Sequence, residues 1–77
     1  MSISLDQLAI GVSATISAVG GDPELRARIQ AIGLRVGRRV AVIRRSRYGG
    51  PLQVRIGTSD LLIRPQQAAL VELETLE

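Results

Sequence analysis

The chain has only one aromatic residue, Tyr48, among its 77 residues, and this scarcity limits the folds open to it. A domain of this length buries only about 60–65% of the surface that its unfolded chain would expose. The core must therefore be assembled from the side chains of leucine, isoleucine, valine and alanine. Small branched side chains pack well in layers inside a compact β-structure. We therefore expect one mainly β domain over residues 1–77.

Short alternating segments predict about five antiparallel strands, bounded by tight turns. The strand segments are residues 12–19, 38–45, 52–56, 61–64 and 71–73. A single helical turn is predicted from Ser4 to Gly11, a hairpin turn over residues 57–60, and another short turn or single-turn helix over residues 65–69. Strands of this number and length favour a small, partly open antiparallel barrel with one helix packed over it.

The best-defined local pattern is a helix that follows the first strand and reads D-P-E-L-R-A-R-I-Q-A-I-G-L. Asp22 can cap the free amides at its start, and proline suits the first helical position. Leu25, Ile29 and Ile32 recur at helical spacing, so we expect them to form the apolar face. Gly33 is expected to end the helix in a left-handed conformation, with the next leucine packing back.

Glycine and proline also mark the turns on either side of the strand at residues 38–45. Gly33 and Gly37 are predicted to shape the join between the helix and this strand. After the strand, Gly49 and Gly50 are predicted to adopt positive φ angles in a loop that Pro51 ends. This loop would project Tyr48.

Charge is distributed unevenly, although the net charge is only +3. All ten basic residues are arginine, and nine of them lie between Glu24 and Asp60, an interval without any acid. Two interpretations remain open. The acidic flanking segments could fold back and neutralise the middle, or the middle could present a basic face to an anionic partner.

The residue types present argue against catalysis and against a metal site. The chain has no histidine and no cysteine, so it lacks the ligands that a selective site for iron or zinc requires. No phosphate-binding or nucleophile motif is present. We therefore predict no catalytic residues, no metal site and no cofactor. The N-terminus lacks the pattern of a signal peptide, and no apolar run is long enough to span a bilayer, so a soluble cytoplasmic protein is expected.

The order of these signals resembles the FeoA family of small SH3-like barrel domains. The resemblance begins with L-x-x-L-x-x-G (Leu5 to Gly11), A-T-I and a glycine pair, and covers nearly the whole chain. It continues through the helix from Leu25 to Leu34, a valine–glycine pair and the V-A-V-I strand. The last matching segments are G-G-P, L-L-I-R and A-A-L-V-E-L.

The resemblance implies a cytoplasmic, non-enzymatic accessory protein of bacterial ferrous-iron uptake. Such a protein would act with FeoB, the membrane permease that carries a cytoplasmic GTPase domain. A similar domain is fused to the C-terminus of some metal-dependent transcriptional repressors. The resemblance brings no catalytic residues.

For docking on the permease, Tyr48 is the predicted anchor, because an aromatic residue flanked by arginine is typical of interface centres. Arg47 lies beside it, and Arg44, Arg45 and Arg55 are predicted to steer the domain toward an acidic surface. A different role for Tyr48 is about equally consistent with the sequence: its ring could cap one end of the barrel.

Nucleic-acid binding is the alternative function, since arginine-rich strands and one exposed tyrosine could pair phosphates and stack a base. A single aromatic residue makes this less favoured, because binding platforms on such barrels usually offer two or more. An exposed hairpin edge could also pair copies of the chain into a homo-oligomer.

Overall fold

A six-stranded antiparallel sheet dominates the computed structural model, which describes residues 2–74. The strands are β1 (Ser2–Ser4), β2 (Ser13–Val19), β3 (Arg39–Arg45), β4 (Leu52–Ile56), β5 (Ser59–Ile63) and β6 (Val71–Glu74). Their order across the sheet is β1-β6-β2-β3-β4-β5. Two helices, α1 (Pro23–Ala31) and α2 (Pro65–Ala68), and two 3₁₀ turns, Leu5–Gln7 and Arg47–Gly49, connect them. The domain predicted over residues 1–77 includes Met1 and residues 75–77, which lie outside the described residues.

The core is a single aliphatic cluster, as the near absence of aromatic residues requires. Alternate residues of the strands supply most of it, so one face of the sheet is buried and the other faces solvent. No polar or charged residue among residues 3–74 is buried. The buried residues are Leu5, Leu8, Ala14, Ile16, Val19, Ile29, Leu34, Val40, Val42, Leu52, Val54, Ile56, Ile63, Ala68, Val71 and Leu73.

Two irregularities bend the sheet around this core. The register shifts in β2 between Ile16 and Ala18, and in β3 between Val42 and Arg44. A bulge of this kind inserts an extra residue into one strand and increases the local twist. At one end the 3₁₀ turn Leu5–Gln7 contacts α2 and β6. This arrangement confirms the mainly β fold with short helical turns and with one α-helix after β2, the strand that the sequence predicts as the first.

Helix α1 begins and ends as its sequence predicts. The Asp22 side chain accepts a hydrogen bond of 2.8 Å from the backbone N–H of Leu25, and Pro23 is the first helical residue. Ile29 is fully buried, while Gly33 has a φ of 112° and releases the chain toward Leu34, which is also fully buried. The prediction for Ile32 is wrong: its side chain is 43% exposed. Ile32 is the last residue before Gly33, where the helix has already ended.

Two other details differ from the sequence-based expectation. Strand β1 adds a sixth strand, which pairs with β6 through Ile3 and Leu73. It was missed because three residues are too few to display an alternating pattern. The hairpin turn between β4 and β5 contains only Gly57 and Thr58, because Ile56 already pairs with Ser59. Gly57, with a φ of 62°, permits this two-residue turn, which starts β5 two residues earlier than predicted.

Candidate functional site

The loop between β3 and β4, residues 46–51, is the most unusual surface of the domain. The loop is closed by a hydrogen bond of 3.2 Å from the N–H of Ser46 to the carbonyl of Pro51. Inside it, Tyr48 has φ 61° and ψ 36°, the left-handed helical region. A bulky residue rarely occupies this region, because its Cβ then lies too close to the following carbonyl. Tyr48 is the one residue other than glycine with a positive φ among residues 2–74.

The side chain of Tyr48 is 100% exposed. The alternative in which its ring caps an end of the barrel is therefore wrong, since a capping ring would lose most of its accessible surface to the core residues beneath it. The fold thus holds its single aromatic side chain in solvent, on a backbone that disfavours tyrosine.

The glycines of this loop have different roles. Gly49 has a φ of 74°, which confirms the predicted positive angle. Gly50 has a φ of −76°, so the prediction of a positive φ is wrong at this residue. Glycine is needed there for space: a Cβ on Gly50 would lie 2.7 Å from the Cβ of Ser46, closer than two carbon atoms can pack. The exposed Pro51 leads into β4.

Gly33 and Gly37 shape a different turn, at the other end of β3. Both have positive φ, 112° and 93°, as the predicted join between helix and strand requires. This turn precedes Arg39, the first residue of β3, whereas the Tyr48 loop follows Arg45, the last one. The structure therefore does not bring the two predicted turns together.

Arg44 and Arg47 are both exposed beside the Tyr48 loop. Neither guanidinium has a hydrogen bond or an ion pair with any residue in the part of the chain that the structure describes. Their charges are therefore available to a partner, as the sequence suggests.

Arg45 is occupied within the fold. Its guanidinium donates one hydrogen bond of 2.6 Å to the carbonyl of Asp6 and another to the carbonyl of Leu8. These two residues lie in and just after the first 3₁₀ turn. Arg45 therefore connects the end of β3 to the N-terminal segment and uses two of its five N–H donors within the fold.

Arg55 has a carboxylate partner on the neighbouring strand. Its Nε and Nη2 atoms lie 2.7 and 3.1 Å from the two oxygens of Asp60, and the side-chain amide of Gln53 donates to Asp60 at 2.9 Å. These bonds, that of Arg55 above all, hold the pKa of the Asp60 carboxyl below its usual value. The same pairing raises the pKa of Arg55. Asp60 thus offsets the charge of Arg55 on the outer face of the sheet.

Sequence reasoning missed Leu62, which is 73% exposed on the solvent face of β5. It pairs with Gln53, which in turn pairs with Arg44, so these residues form one row across three strands. The alternation in Ser59–Ile63 gave a usable signal. If Leu61 and Ile63 face the core, the leucine between them must face outward.

The carboxylates also have structural partners. Asp22 caps α1, and Glu24 lies 3.4 Å from Arg28 one helical turn later. Across residues 2–74, no group of three or more acidic side chains converges as a metal site would require. Three surface depressions of about 190 to 240 Å³ are smaller than the roughly 300–1,000 Å³ typical of ligand pockets.

No helix within the described part of the chain is both long and apolar enough to cross a membrane.

Comparison with known proteins identifies a family. The sequence model of the FeoA domain matches residues 3–75. The solution structure of the FeoA protein from Chlorobium tepidum is 27% identical, with a TM-score of 0.84 over 97% of this chain and 71% of that one. Among curated proteins, none matches the sequence.

Two further structures share the fold at lower identity. One is the zinc complex of Stenotrophomonas maltophilia FeoA, described as a prokaryotic SH3 domain protein that possibly activates ferrous iron transport. It is 22% identical, with a TM-score of 0.80 over 94% of this chain and 89% of that one. The other is a manganese-dependent transcriptional repressor, 20% identical, with a TM-score of 0.86 over 97% of this chain and 42% of the repressor. These likenesses confirm the SH3-like fold.

Proposed function

The chain belongs to the FeoA family, and on that premise we propose that it is a non-enzymatic accessory protein of bacterial ferrous-iron uptake. It docks on the cytoplasmic part of a FeoB-type permease, and so works in the cytoplasm. The observation that carries this proposal is Tyr48, fully exposed and held with a positive φ angle.

The conformation of Tyr48 favours a role in binding. A residue other than glycine in the left-handed region costs about 1–2 kcal/mol, and such strain tends to occur at functional sites. A tyrosine ring offers a large, rigid contact area with few rotatable bonds, and aromatic residues are enriched at the centres of protein interfaces. No packing within residues 2–74 uses this ring, so a partner protein is the proposed user.

The arginines around the loop set the chemistry of the partner surface. Arg44 and Arg47 are exposed and unpaired within the described residues, and they would meet carboxylates of the permease through paired hydrogen bonds. Arg55 and Arg45 stay in the proposal with smaller parts. The charge of Arg55 is partly offset by Asp60, and Arg45 holds the end of the strand that leads into the loop against the N-terminal segment.

The test compares binding with folding. Purified permease cytoplasmic domain would be immobilised and titrated with the wild-type protein and with Tyr48→Ser. We expect binding to weaken at least about tenfold, as for a central aromatic contact. The melting temperature should not fall, because the side chain is fully exposed. Arg47→Gln should weaken binding less, and its matched control is Arg26→Gln on α1, which removes the same charge elsewhere.

Unchanged binding by Tyr48→Ser, or a large fall in its melting temperature, contradicts the anchor role. The alternative function is tested on the same proteins by filter binding to RNA and DNA over a salt series. Tyr48 and its neighbouring arginines offer one stacking surface with cations beside it, so this alternative predicts binding that falls steeply with salt. Binding to nucleic acid but not to the permease domain would replace the proposal.

A further inference from the structure

Strand β5, Ser59–Ile63, forms one edge of the sheet and pairs only with β4. The hairpin turn has two residues, and Ser59 is the first residue after it. The backbone N–H and C=O of Ser59 therefore point toward β4. The β4–β5 register then continues without a bulge to Ile63. By alternation, the backbone groups of Leu61 and Ile63 also point toward β4, while those of Asp60 and Leu62 point away from the sheet.

The outward groups of β5 have no backbone partner within residues 2–74. Neither Asp60 nor Leu62 takes part in a backbone hydrogen bond outside the β4–β5 ladder. Each therefore presents one N–H and one C=O to an incoming strand. The edge ends at Arg64, whose N–H donates to the Gln67 side chain and whose C=O accepts bonds from the first turn of α2. The available edge is thus two hydrogen-bonding residues long.

The side chains around this edge are apolar at the centre and cationic at the rim. Leu62 is 73% exposed, and Arg44 lies at the far end of its row across the sheet. Arg64, extended and exposed, lies two residues beyond Leu62 on the same face. The acid in this part of the sheet, Asp60, already binds Arg55 and Gln53. The edge therefore combines an exposed leucine with the positive charge of Arg64, which has no carboxylate partner within residues 2–74.

We propose that the β5 edge binds an extended segment of a partner protein in which an acidic residue lies two positions from an apolar residue, so that both side chains face the same side of the sheet. The segment adds a seventh strand to the sheet: its backbone pairs with Asp60 and Leu62, an apolar side chain covers Leu62, and a carboxylate meets Arg64. This inference rests on the proposed docking role, and it names the surface that is used and the chemistry of the partner.

A second copy of this chain fits the edge poorly. Antiparallel pairing centred on Leu61 would satisfy the outward backbone groups, but it would set the Asp60 carboxylate opposite Leu62 of the other copy. Pairing centred on Leu62 would match leucine with leucine and Asp60 with Arg64. It would also require the backbone groups of Arg64, which the start of α2 already uses. Either register would bring two cationic faces together, whereas an acidic strand relieves that repulsion.

The test uses a synthetic probe. A blocked nine-residue peptide of sequence E-T-V-T-E-T-V-T-E, which places glutamate and valine on one face of a strand, would be titrated into ¹⁵N-labelled protein, with a peptide that carries lysine in place of each glutamate as the control. We expect the glutamate peptide to shift the amides of Asp60 and Leu62 and to protect them from hydrogen exchange. A form of the peptide N-methylated along its pairing edge should bind at least about fivefold more weakly, as expected when one hydrogen bond is lost.

Two variants separate the contribution of the outward backbone N–H of Leu62 to peptide binding from that of its side chain. Leu62→Pro removes an outward N–H without removing a bond to β4, while Leu62→Ala keeps that N–H and removes the side chain. We expect the proline variant to bind the peptide more weakly than the alanine variant. The N-methylated peptide decides the matter even if the proline variant fails to fold, because it leaves the protein unchanged.

Several results would overturn the inference: no binding of the glutamate peptide, equal binding of the N-methylated or lysine form, shifts centred away from β5, or a dimer that Leu62→Pro disrupts. The two proposals can fail separately. If the permease domain binds wild type and Leu62→Pro equally well, the β5 inference fails and docking stands. If the permease domain does not bind at all, docking fails, and the peptide titration still decides how the edge is used.

Discussion

Tyr48 is strained in its backbone and contributes no buried surface to the fold, which is why we propose a role in docking for it. Its positive φ costs about 1–2 kcal/mol, and its fully exposed ring recovers none of this by burial. The neighbouring glycines avoid such strain. Gly49 adopts its positive φ at little cost, and Gly50 has no Cβ that would collide with Ser46. The loop is therefore built so that the tyrosine is the strained member.

Also at the residue scale, Asp60 should make the stability of the protein depend on pH in the acid range. Its pKa is lowered by Arg55 and Gln53, so the paired form stabilises the fold at any pH above the ordinary aspartate value of about 3.9. This contribution is lost as the pH falls through the lower, folded value. We expect the stability difference between wild type and Arg55→Gln to be constant from about pH 5 to 7 and to shrink below about pH 4.

Denaturant unfolding over a pH series measures this difference, and carbon NMR of the Asp60 carboxyl follows its titration directly. Arg44→Gln is the matched control, because it removes a neighbouring charge that has no carboxylate partner among residues 2–74. An Asp60 carboxyl that titrates at the ordinary value in wild type, unmoved by Arg55→Gln, would contradict the prediction.

At the scale of elements, Arg45 connects the end of β3 to the first 3₁₀ turn. Its two hydrogen bonds reach Asp6 and Leu8, which are separated from it by more than 35 residues of sequence. Leu5 and Leu8, which belong to this segment, are buried in the core. The segment is thus held by aliphatic packing on one side and by a guanidinium on the other.

We expect Arg45→Gln to lower the free energy of unfolding by about 1–3 kcal/mol, because it leaves carbonyl groups in a partly buried position without their donor. Arg44→Gln, one residue away and exposed, should change it by less than about 0.5 kcal/mol. Urea denaturation of both variants measures the difference. Similar values for the two would mean that the contacts of Arg45 contribute nothing to stability.

The elements also show what a single sequence can predict. Helix α1 was predictable because its cap, first-turn proline and closing glycine are local signals. The long strands were predictable from alternation, and the loop at Tyr48 from its glycines and proline, whereas the sequence left two positions for the tyrosine ring open. Strand β1 was not predictable, because three residues show no period. The exposure of Leu62 could have been predicted from the alternation in β5 but was missed. The hydrogen bonds of Arg45 join segments that only the fold brings together, and so no local pattern predicts them.

At the scale of the molecule, the sheet order places β6 between β1 and β2. We therefore expect removal of residues 71–77 to unfold the protein, since it deletes two strand pairings and the buried Val71 and Leu73. Removal of residues 1–4 deletes only the edge strand, and it should leave a folded but less stable domain. Circular dichroism and thermal melting distinguish these outcomes. A cooperative melt in the first truncation would contradict the expectation.

The position of β6 also sets the moment at which the chain can fold during synthesis. The ribosome makes β1 and β2 first, yet β1 finds its neighbour, and β2 its second neighbour after β3, only when the segment carrying Val71–Glu74 has left the exit tunnel. The sheet must then stay incomplete, with part of its aliphatic core unprotected, until residues 71–74 have emerged. Chaperones that hold emerging chains would act on this protein until that segment is available to close the sheet.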